Sequence, residues 1–210
     1  MPAMPQGTKG KILDIGCGSG DTLAILKEIG WDAYGLDIDA QAIKAAHSRG
    51  LTNVKLGTYK DLKKYPDNFF DVIRLYHVIE HLDDSGMCLT LIYKKLKKGG
   101  KVIIGTPNAA SLVARIFKGY WYNLDAPRHL YLFSPKTLTM LMRKNKCESR
   151  VIEFSSAGGW VGSMQYVLEE VLQKRIDLIN RPWLILLFYP LEWLLDRLRL
   201  GDVFVLRAKK

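Results

Sequence analysis

Leu13-Asp14-Ile15-Gly16-Cys17-Gly18-Ser19-Gly20 closes an apolar run that begins at Lys11 and leads into a helical pattern over Thr22–Ile29. Leu23, Leu26 and Ile29 recur on one side of that pattern, and Gly30 stops it. A five-residue apolar run is strand length, so the unit reads as strand, glycine loop, helix. Glycines leave out the Cβ atoms that would hold a ligand away from the backbone. The helix that follows presents unpaired N–H groups at its start.

Beyond this unit, short apolar runs keep alternating with helical patterns. Ala33–Ile38 reads as a second strand ending at Asp37 and Asp39. Ala40–Ser48 is a helix closed by Gly50, and Val54–Leu56 a third strand. Asp71–His77 is a fourth strand after the turn Pro66-Asp67-Asn68. Gly86–Leu96 is a helix running into Lys97-Lys98-Gly99-Gly100, read as a helix end with cations and a capping glycine. Lys101–Gly105 is a fifth strand, stopped by Thr106-Pro107-Asn108. Strands alternating with helices make a parallel sheet covered on both faces.

The second half opens on an irregular aromatic stretch, Phe117 to Phe133. Ser134 then caps a helix with Pro135 in its first turn, running to about Lys146. Arg150–Ser155 and Val203–Lys209 read as the sixth and seventh strands. The long insert Trp160–Leu200 between them carries two helical patterns, split at Asn180-Arg181-Pro182. With no repeat and no linker, residues 1–210 read as a single domain with a helical cap at about 160–200.

Apolar residues make up 48% and charged residues 25% of the 210, a globular mixture that excludes a disordered or fibrous chain. The net charge is +10, unevenly placed. Residues 1–100 hold 14 basic and 12 acidic side chains, residues 101–210 hold 17 and 9. Cys17, Cys88 and Cys147 have no metal or redox spacing, which points to a reducing cytoplasm. Residues 1–10 have no leader-like apolar core. The longest apolar run, Trp183–Leu195, is broken by Pro190 and Glu192 and is too short to span a bilayer.

Asp37 stands 21 residues after Gly16, at the end of the next strand. In a doubly wound sheet that places its carboxylate beside a nucleoside ribose. A dinucleotide fingerprint would put its third glycine one residue after Gly20, where this chain has Asp21. An anion there opposes a pyrophosphate, so a phosphate-free ligand with a cationic centre fits better than NAD.

Asp14-Ile15-Gly16-Cys17-Gly18-Ser19-Gly20 followed by Gly35-Leu36-Asp37 resembles the class I S-adenosylmethionine-dependent methyltransferases. The likeness extends through Val54–Val72, His77-Val78-Ile79-Glu80-His81-Leu82 and Leu96–Thr106, and so covers most of the chain. Within that class the chain resembles the ubiquinone-biosynthesis O-methyltransferase-like group. Pro127-Arg128-His129-Leu130-Tyr131-Leu132-Phe133-Ser134-Pro135 looks like a subset that tailors polysaccharides or lipids. The resemblance implies a Rossmann-like α/β fold: a seven-stranded, mostly parallel sheet with an antiparallel last strand, helices on both faces and a helical insert between strands 6 and 7. It implies S-adenosyl-L-methionine as cofactor. Asp14 and the backbone of Gly16, Cys17, Gly18 and Gly20 would face its methionine moiety, with His77 lining that side. Asp37 would accept the ribose hydroxyls and Ile38 would pack on the adenine. Thr58 and Tyr59 stand where the family often carries an acidic residue near the adenine amine, a departure. The first strand also begins sooner than in relatives, which implies a more open site or a shortened chain.

Methylating a hydroxyl requires alignment of the acceptor and removal of its proton, and histidine is the side chain suited to that near neutral pH. Of the four histidines, His47 reads as a surface residue. His81, past the fourth strand, and His129, in the aromatic stretch, are the candidate bases. Each has a bland counterpart: His81 as a helix-start residue tied to Asp83 or Asp84, His129 as a loop anchor. Glu80, His81, Asp83 and Asp84 read as capping and solvation, and no metal is assigned. No Asn/Asp-Pro-Pro-aromatic run and no Pro-Cys nucleophile is present, which demotes nucleobase and glutamine nitrogen and cytosine carbon as acceptors.

In the insert, Val161, Met164, Leu168, Val171 and Leu172 share an apolar face, while Trp183–Leu195 is apolar nearly all round. A cap on the substrate side of the sheet is the favoured reading. A homodimer surface and a peripheral membrane helix stay open. Nucleic acid is not expected: Lys94, Lys95, Lys97 and Lys98 read as a helix C-terminus. The sequence thus points to a cytoplasmic, or membrane-associated, methyltransferase for a small-molecule or lipid/saccharide-linked acceptor, with oxygen favoured. A NAD-dependent oxidoreductase and a non-catalytic cofactor- or membrane-binding protein are the alternatives.

Overall fold

The computed structural model describes residues 3–5, 9–156 and 158–210. These form strands β1 (Lys11–Ile15), β2 (Asp32–Asp37), β3 (Val54–Leu56), β4 (Phe70–Tyr76), β5 (Leu96–Pro107), β6 (Glu148–Phe154) and β7 (Val203–Lys209). All lie in one sheet, in the order β3-β2-β1-β4-β5-β7-β6. β1 to β5 pair in parallel, and β7 runs antiparallel to both β5 and β6. This is the Rossmann-like sheet with an antiparallel last strand that the family resemblance implies.

The helices are α1 (Asp21–Glu28), α2 (Ala40–Ser48), α3 (Ser85–Lys95), α4 (Leu112–Phe117), α5 (Pro135–Lys144), α6 (Gly159–Leu172) and α7 (Pro182–Arg197). Side chains alternate across a strand, so each strand feeds two cores. Leu13, Ile73, Leu75 and Ile104 go to one face, under Leu89 and Ile92 of α3 and Leu138 and Met142 of α5. Ile12, Val72 and Ile103 go to the other, under Leu23 and Leu26 of α1 and Ile43 and Ala46 of α2. α5 starts as read, with Ser134 and Thr137 forming a reciprocal cap and Pro135 in the first turn.

Several boundaries move for physical reasons. The helix expected to end at Leu96 stops at Lys95, and Lys97–Gly100 is no helix end. Leu96 already pairs with Phe70, and an irregularity in that pairing leads into the regular register from Val72 and Lys101. Lys95 and Lys97 answer Asp67 (2.6 Å) and Asp71 (2.8 Å), so ion pairs account for part of that basic cluster. The first helix of the insert stops at Leu172 instead of running on towards Ile179. Gln165 accepts the N–H groups of Leu178 and Ile179, and Glu169 that of Ile176, so α6 side chains take up amides that a longer helix would have used. Val171 and Leu172, expected on the buried face, are 71% and 58% exposed.

Asp14 and Arg74 face each other across β1 and β4 and are both buried. Arg74 Nη1 donates to both carboxylate oxygens (2.9 and 2.7 Å), Nε donates to the Ala3 carbonyl, and the guanidinium lies over the Tyr76 ring. Burial raises the Asp14 carboxyl above its ordinary range, and the facing guanidinium holds the rise down. Removing one member of such a pair strands a charge in the core, which costs about 3–5 kcal/mol. Asp14→Asn is therefore expected to lower the melting temperature by on the order of 10 °C. Combining Asp14→Leu with Arg74→Met should restore much of that loss. Calorimetric melts of the single and double variants check this, and an unchanged melt for Asp14→Asn would contradict it.

Candidate functional site

The strand order reverses between β1 and β4, so the loops after these strands diverge and leave a crevice at their carboxyl ends. The glycine loop forms one lip. Gly16 takes φ +73° and donates to the Leu36 carbonyl (2.7 Å), and a Cβ there would run into Val78. Gly18 takes φ +53°, and no atom lies within 4 Å of where its Cβ would stand. Its N–H donates to Asp37 Oδ2 (2.7 Å), while Asp37 Oδ1 accepts from the Asp39 N–H (2.9 Å). Two backbone donors thus fix the carboxylate and leave lone pairs free. Asp39 caps α2 by accepting from Gln41 and Ala42.

A cleft of about 570 Å³ opens here, lined by Gly16, Asp37, Ile38, Thr58, Tyr59, His77 and His81 among the expected residues. Ile38 is 78% exposed, an apolar side chain standing at the cleft. His77 has φ +55°, a left-handed conformation unusual for a side chain with a Cβ. Cys17, Gly18 and Gly20 belong to the loop without walling the cleft, and His129 is outside its lining as well. Gly20 is the N-cap of α1 and gives it no side-chain cap. Asp14 is the clear departure: its carboxylate is committed to Arg74 and does not line the cleft.

His81 and His129 come together, their ring centroids 4.7 Å apart. His81 Nδ1 lies 2.9 Å from the Arg128 carbonyl and His129 Nδ1 2.9 Å from the Asn123 carbonyl. A carbonyl only accepts, so each Nδ1 carries a proton and each Nε2 is left to exchange one. His81 is therefore not tied to Asp83 or Asp84. Asp84 caps α3 through the Met87 N–H, and Asp83 binds Lys60 (2.7 Å) and the Tyr59 hydroxyl (2.7 Å). Those two bonds hold the Asp83 carboxyl down at about 2. His47 lies outside the cleft, bound to the Val54 carbonyl.

Glu80 is buried, not a solvated helix-start residue. It accepts from the Thr106 hydroxyl (3.0 Å) and faces His77 Nδ1 at 3.3 Å. Its carbonyl accepts the N–H groups of Leu130 and Tyr131, which ties the aromatic stretch to the end of β4. One ligand atom each from Glu80, His81 and His129 lies within 4.8 Å of the others. Among the described residues this trio is the set that could hold a metal ion. Asp83, read as a capping or solvated residue, stands in the wall, as do Leu36, Gly57, Lys60, Val78, Leu82 and Leu130, to which sequence reasoning gave no site role. Lys60 directly follows Tyr59, and Leu130 follows His129, so adjacency to residues already singled out was the available signal.

A family model described as a methyltransferase domain matches residues 2–161. The chain is 38% identical over 99 residues to phosphoethanolamine N-methyltransferase 3 of Arabidopsis thaliana, a match covering 45% of this chain and 20% of that protein. It is 28% identical over 131 residues to the ubiquinone biosynthesis O-methyltransferase of Idiomarina loihiensis, covering 60% and 51%. The matches therefore span from a fifth to about half the length of these curated relatives. The solved structure of a SAM dependent methyltransferase from Archaeoglobus fulgidus aligns with a TM-score of 0.65 at 27% identity, over 96% of this chain and 86% of that one.

The glycine loop also contains a thiol. Burial pushes Cys17 up to about 12, with Asp14 and Asp37 adding to the rise. Against its ordinary 9.0, its thiolate is scarcer by on the order of a thousandfold. Its greater intrinsic nucleophilicity offsets part of that scarcity, so native Cys17 is expected to react with iodoacetamide at pH 8 on the order of 30-fold more slowly than in urea. Peptide mass spectrometry over time reads this directly, and native labelling within tenfold of the urea rate would contradict it.

Proposed function

The chain belongs to the methyltransferase domain family, within the class I S-adenosylmethionine-dependent methyltransferases, and from that premise we propose that it methylates a small or lipid/saccharide-linked acceptor at oxygen. The residues present fit the cofactor. Gly18 offers open space against the backbone, Asp37 offers fixed acceptor oxygens, and Ile38 offers an exposed apolar surface at the same cleft. The cleft volume suits a small molecule. Asp37 would accept the ribose hydroxyls, Ile38 would pack on the adenine with Thr58 and Tyr59 beside it, and the Gly16–Gly20 backbone with His77 would border the methionine end. Asp14 is committed to Arg74 at the end of β1, two residues before Gly16.

When bound, S-adenosylmethionine supplies a methyl group activated on a sulfonium. The observation that carries the oxygen reading is the ring pair His81 and His129, 4.7 Å apart with each Nδ1 committed to a carbonyl; His81 lines the cleft, while the His129 side chain is 7% exposed and outside that lining. Either Nε2 would take the proton of an acceptor hydroxyl held between the cleft and the aromatic stretch. Asp125 Oδ2 lies 3.9 Å from His129 Nε2, and Glu80 places a carboxylate oxygen within 4.8 Å of both rings. The 38% match to an N-methyltransferase keeps an amine acceptor as the second reading. The family and its solved relative favour S-adenosylmethionine over a nicotinamide cofactor.

Three measurements test the proposal. Calorimetric titration should give saturable binding of S-adenosylhomocysteine and none of NAD. Asp37→Ala removes two charged hydrogen bonds to the ribose and should weaken that binding by about 3 kcal/mol, roughly a hundredfold. Unchanged affinity would count against the site. Labelled methyl transfer onto fractionated extracts, lipid fraction included, should yield an O-methylated product by mass spectrometry, whereas an N-methylated product would favour the second reading. On the acceptor so found, His129→Ala or His81→Ala should lower kcat by about 10²–10⁴ with cofactor affinity retained. Full activity in both variants would remove the histidines from proton transfer.

A further inference from the structure

Helix α7 carries apolar side chains on two opposite stripes, and only one is covered. Its sixteen residues run about 24 Å. The inner stripe at helical spacing includes Phe188, stacked on Trp160, together with Glu192 and Leu195, both buried. The outer stripe holds Trp183, Leu186, Leu187, Trp193 and Leu194, each between 46% and 70% exposed. Both acids of the helix are turned from it: Glu192 accepts the Gly158 N–H (3.1 Å), and Asp196 accepts from the Ser156 N–H (2.9 Å) and hydroxyl (2.7 Å). Cations bracket the stripe, Arg181 before it and Arg197 and Arg199 after it, all exposed. The Arg197 guanidinium lies 4.3 Å from the Trp193 ring centre.

We propose that the outer stripe of α7 seats the protein on an anionic bilayer surface, lying in the headgroup layer. A run of exposed leucines and tryptophans of this size marks a contact surface. Its charged ends are all positive and its length carries no outward acid, which complements anionic headgroups and places Trp side chains at their preferred depth. No helix among the described residues is long and apolar enough to cross a membrane, so the contact is peripheral. A second copy fits worse. Two-fold pairing of α7 sets Arg181 against either Arg181 or Arg197 and Arg199, cation on cation in both orientations.

This inference stands on α7 and not on the acceptor, and vesicle binding is read without methyl transfer, so each can fail alone. The experiment is co-sedimentation with vesicles of phosphatidylcholine alone or with about a third phosphatidylglycerol, together with tryptophan emission. The protein should bind the anionic vesicles with a blue shift, lose binding as salt rises and bind neutral vesicles more weakly. Leu186→Ser with Leu187→Ser should weaken binding at least about tenfold, as should Arg181→Glu with Arg199→Glu. Both variants should keep the parent's melt and S-adenosylhomocysteine affinity. Absence of vesicle binding, or equal binding by the two folded variants, would overturn the proposal. So would a dimer at sedimentation equilibrium that Leu186→Ser with Leu187→Ser dissociates, because the stripe would then belong to a second copy.

Discussion

The reversal of strand order between β1 and β4 is the constraint from which the rest of the cleft follows. β2 and β4 flank β1, so the chain leaves β1 towards one edge and reaches β4 by returning across it. No crossover helix fills the gap between the two exits, and the Gly16–Gly20 and His77–Asp83 segments border it. The gap is shaped by hydrogen bonds between those exits. Gly16 and Cys17 donate to Leu36, and Gly18 donates to Asp37, so the glycine loop is laced to the end of β2. This is why the left-handed turns of Gly16 and Gly18 persist. The amides of Gly16, Cys17 and Gly18 each find an acceptor at the end of the neighbouring strand.

The other wall is built differently. Residues 117–133 have little regular structure, so their polar groups must be answered by side chains and isolated carbonyls. Asp202, buried at the start of β7, accepts from the Ser111 hydroxyl, the Trp121 indole and the Asn123 amide. Burial raises its carboxyl, and the three donors oppose that rise. Asn123 in turn offers its carbonyl to His129, and Glu80 offers its own to Leu130 and Tyr131. The Asp202 carboxylate and the Glu80 backbone carbonyl, far apart in sequence, thereby hold the histidine-bearing stretch against the sheet. The orientation of both candidate bases depends on irregular backbone that these two acceptors pin.

This contrast explains what could be read from the sequence. The cofactor side was legible because its signals are local: glycines at fixed spacing, an acid at a strand end, apolar runs of strand length. Asp37, singled out by spacing, stands at one cleft with Ile38, Thr58, Tyr59 and His77, which only the family resemblance had pointed to. Asp14 was misread because its fate is decided by Arg74, sixty residues away and directly across the sheet. Glu80 reads as polar and helix-adjacent in sequence, yet Thr106 and His77 turn it inward. Long-range partners of this kind leave no periodicity to detect. The overlong α6 has the same origin, since Gln165 and Glu169 look like an outer face until the chain folds back upon them.

Helix α7 carries the argument furthest. A helix apolar nearly all round gives no moment from which to tell inside from outside, and burying its tryptophans would have been the simplest expectation. The structure instead buries Glu192 and leaves Trp183 and Leu187 in solvent. Glu192 has a reason to point inward: it answers the Gly158 amide at the left-handed N-cap of α6, which has no side-chain cap of its own. Asp196 does similar work at Ser156. Once these acids are committed to α6 and β6, the rotation of α7 is set, and the opposite stripe of tryptophans and leucines faces outward. The charge balance is set by the same rotation. Turning both acids inward leaves Arg181, Arg197 and Arg199 unopposed at the ends of an apolar surface. Part of the basic surplus of residues 101–210 is thus gathered where an apolar, anionic surface would meet it.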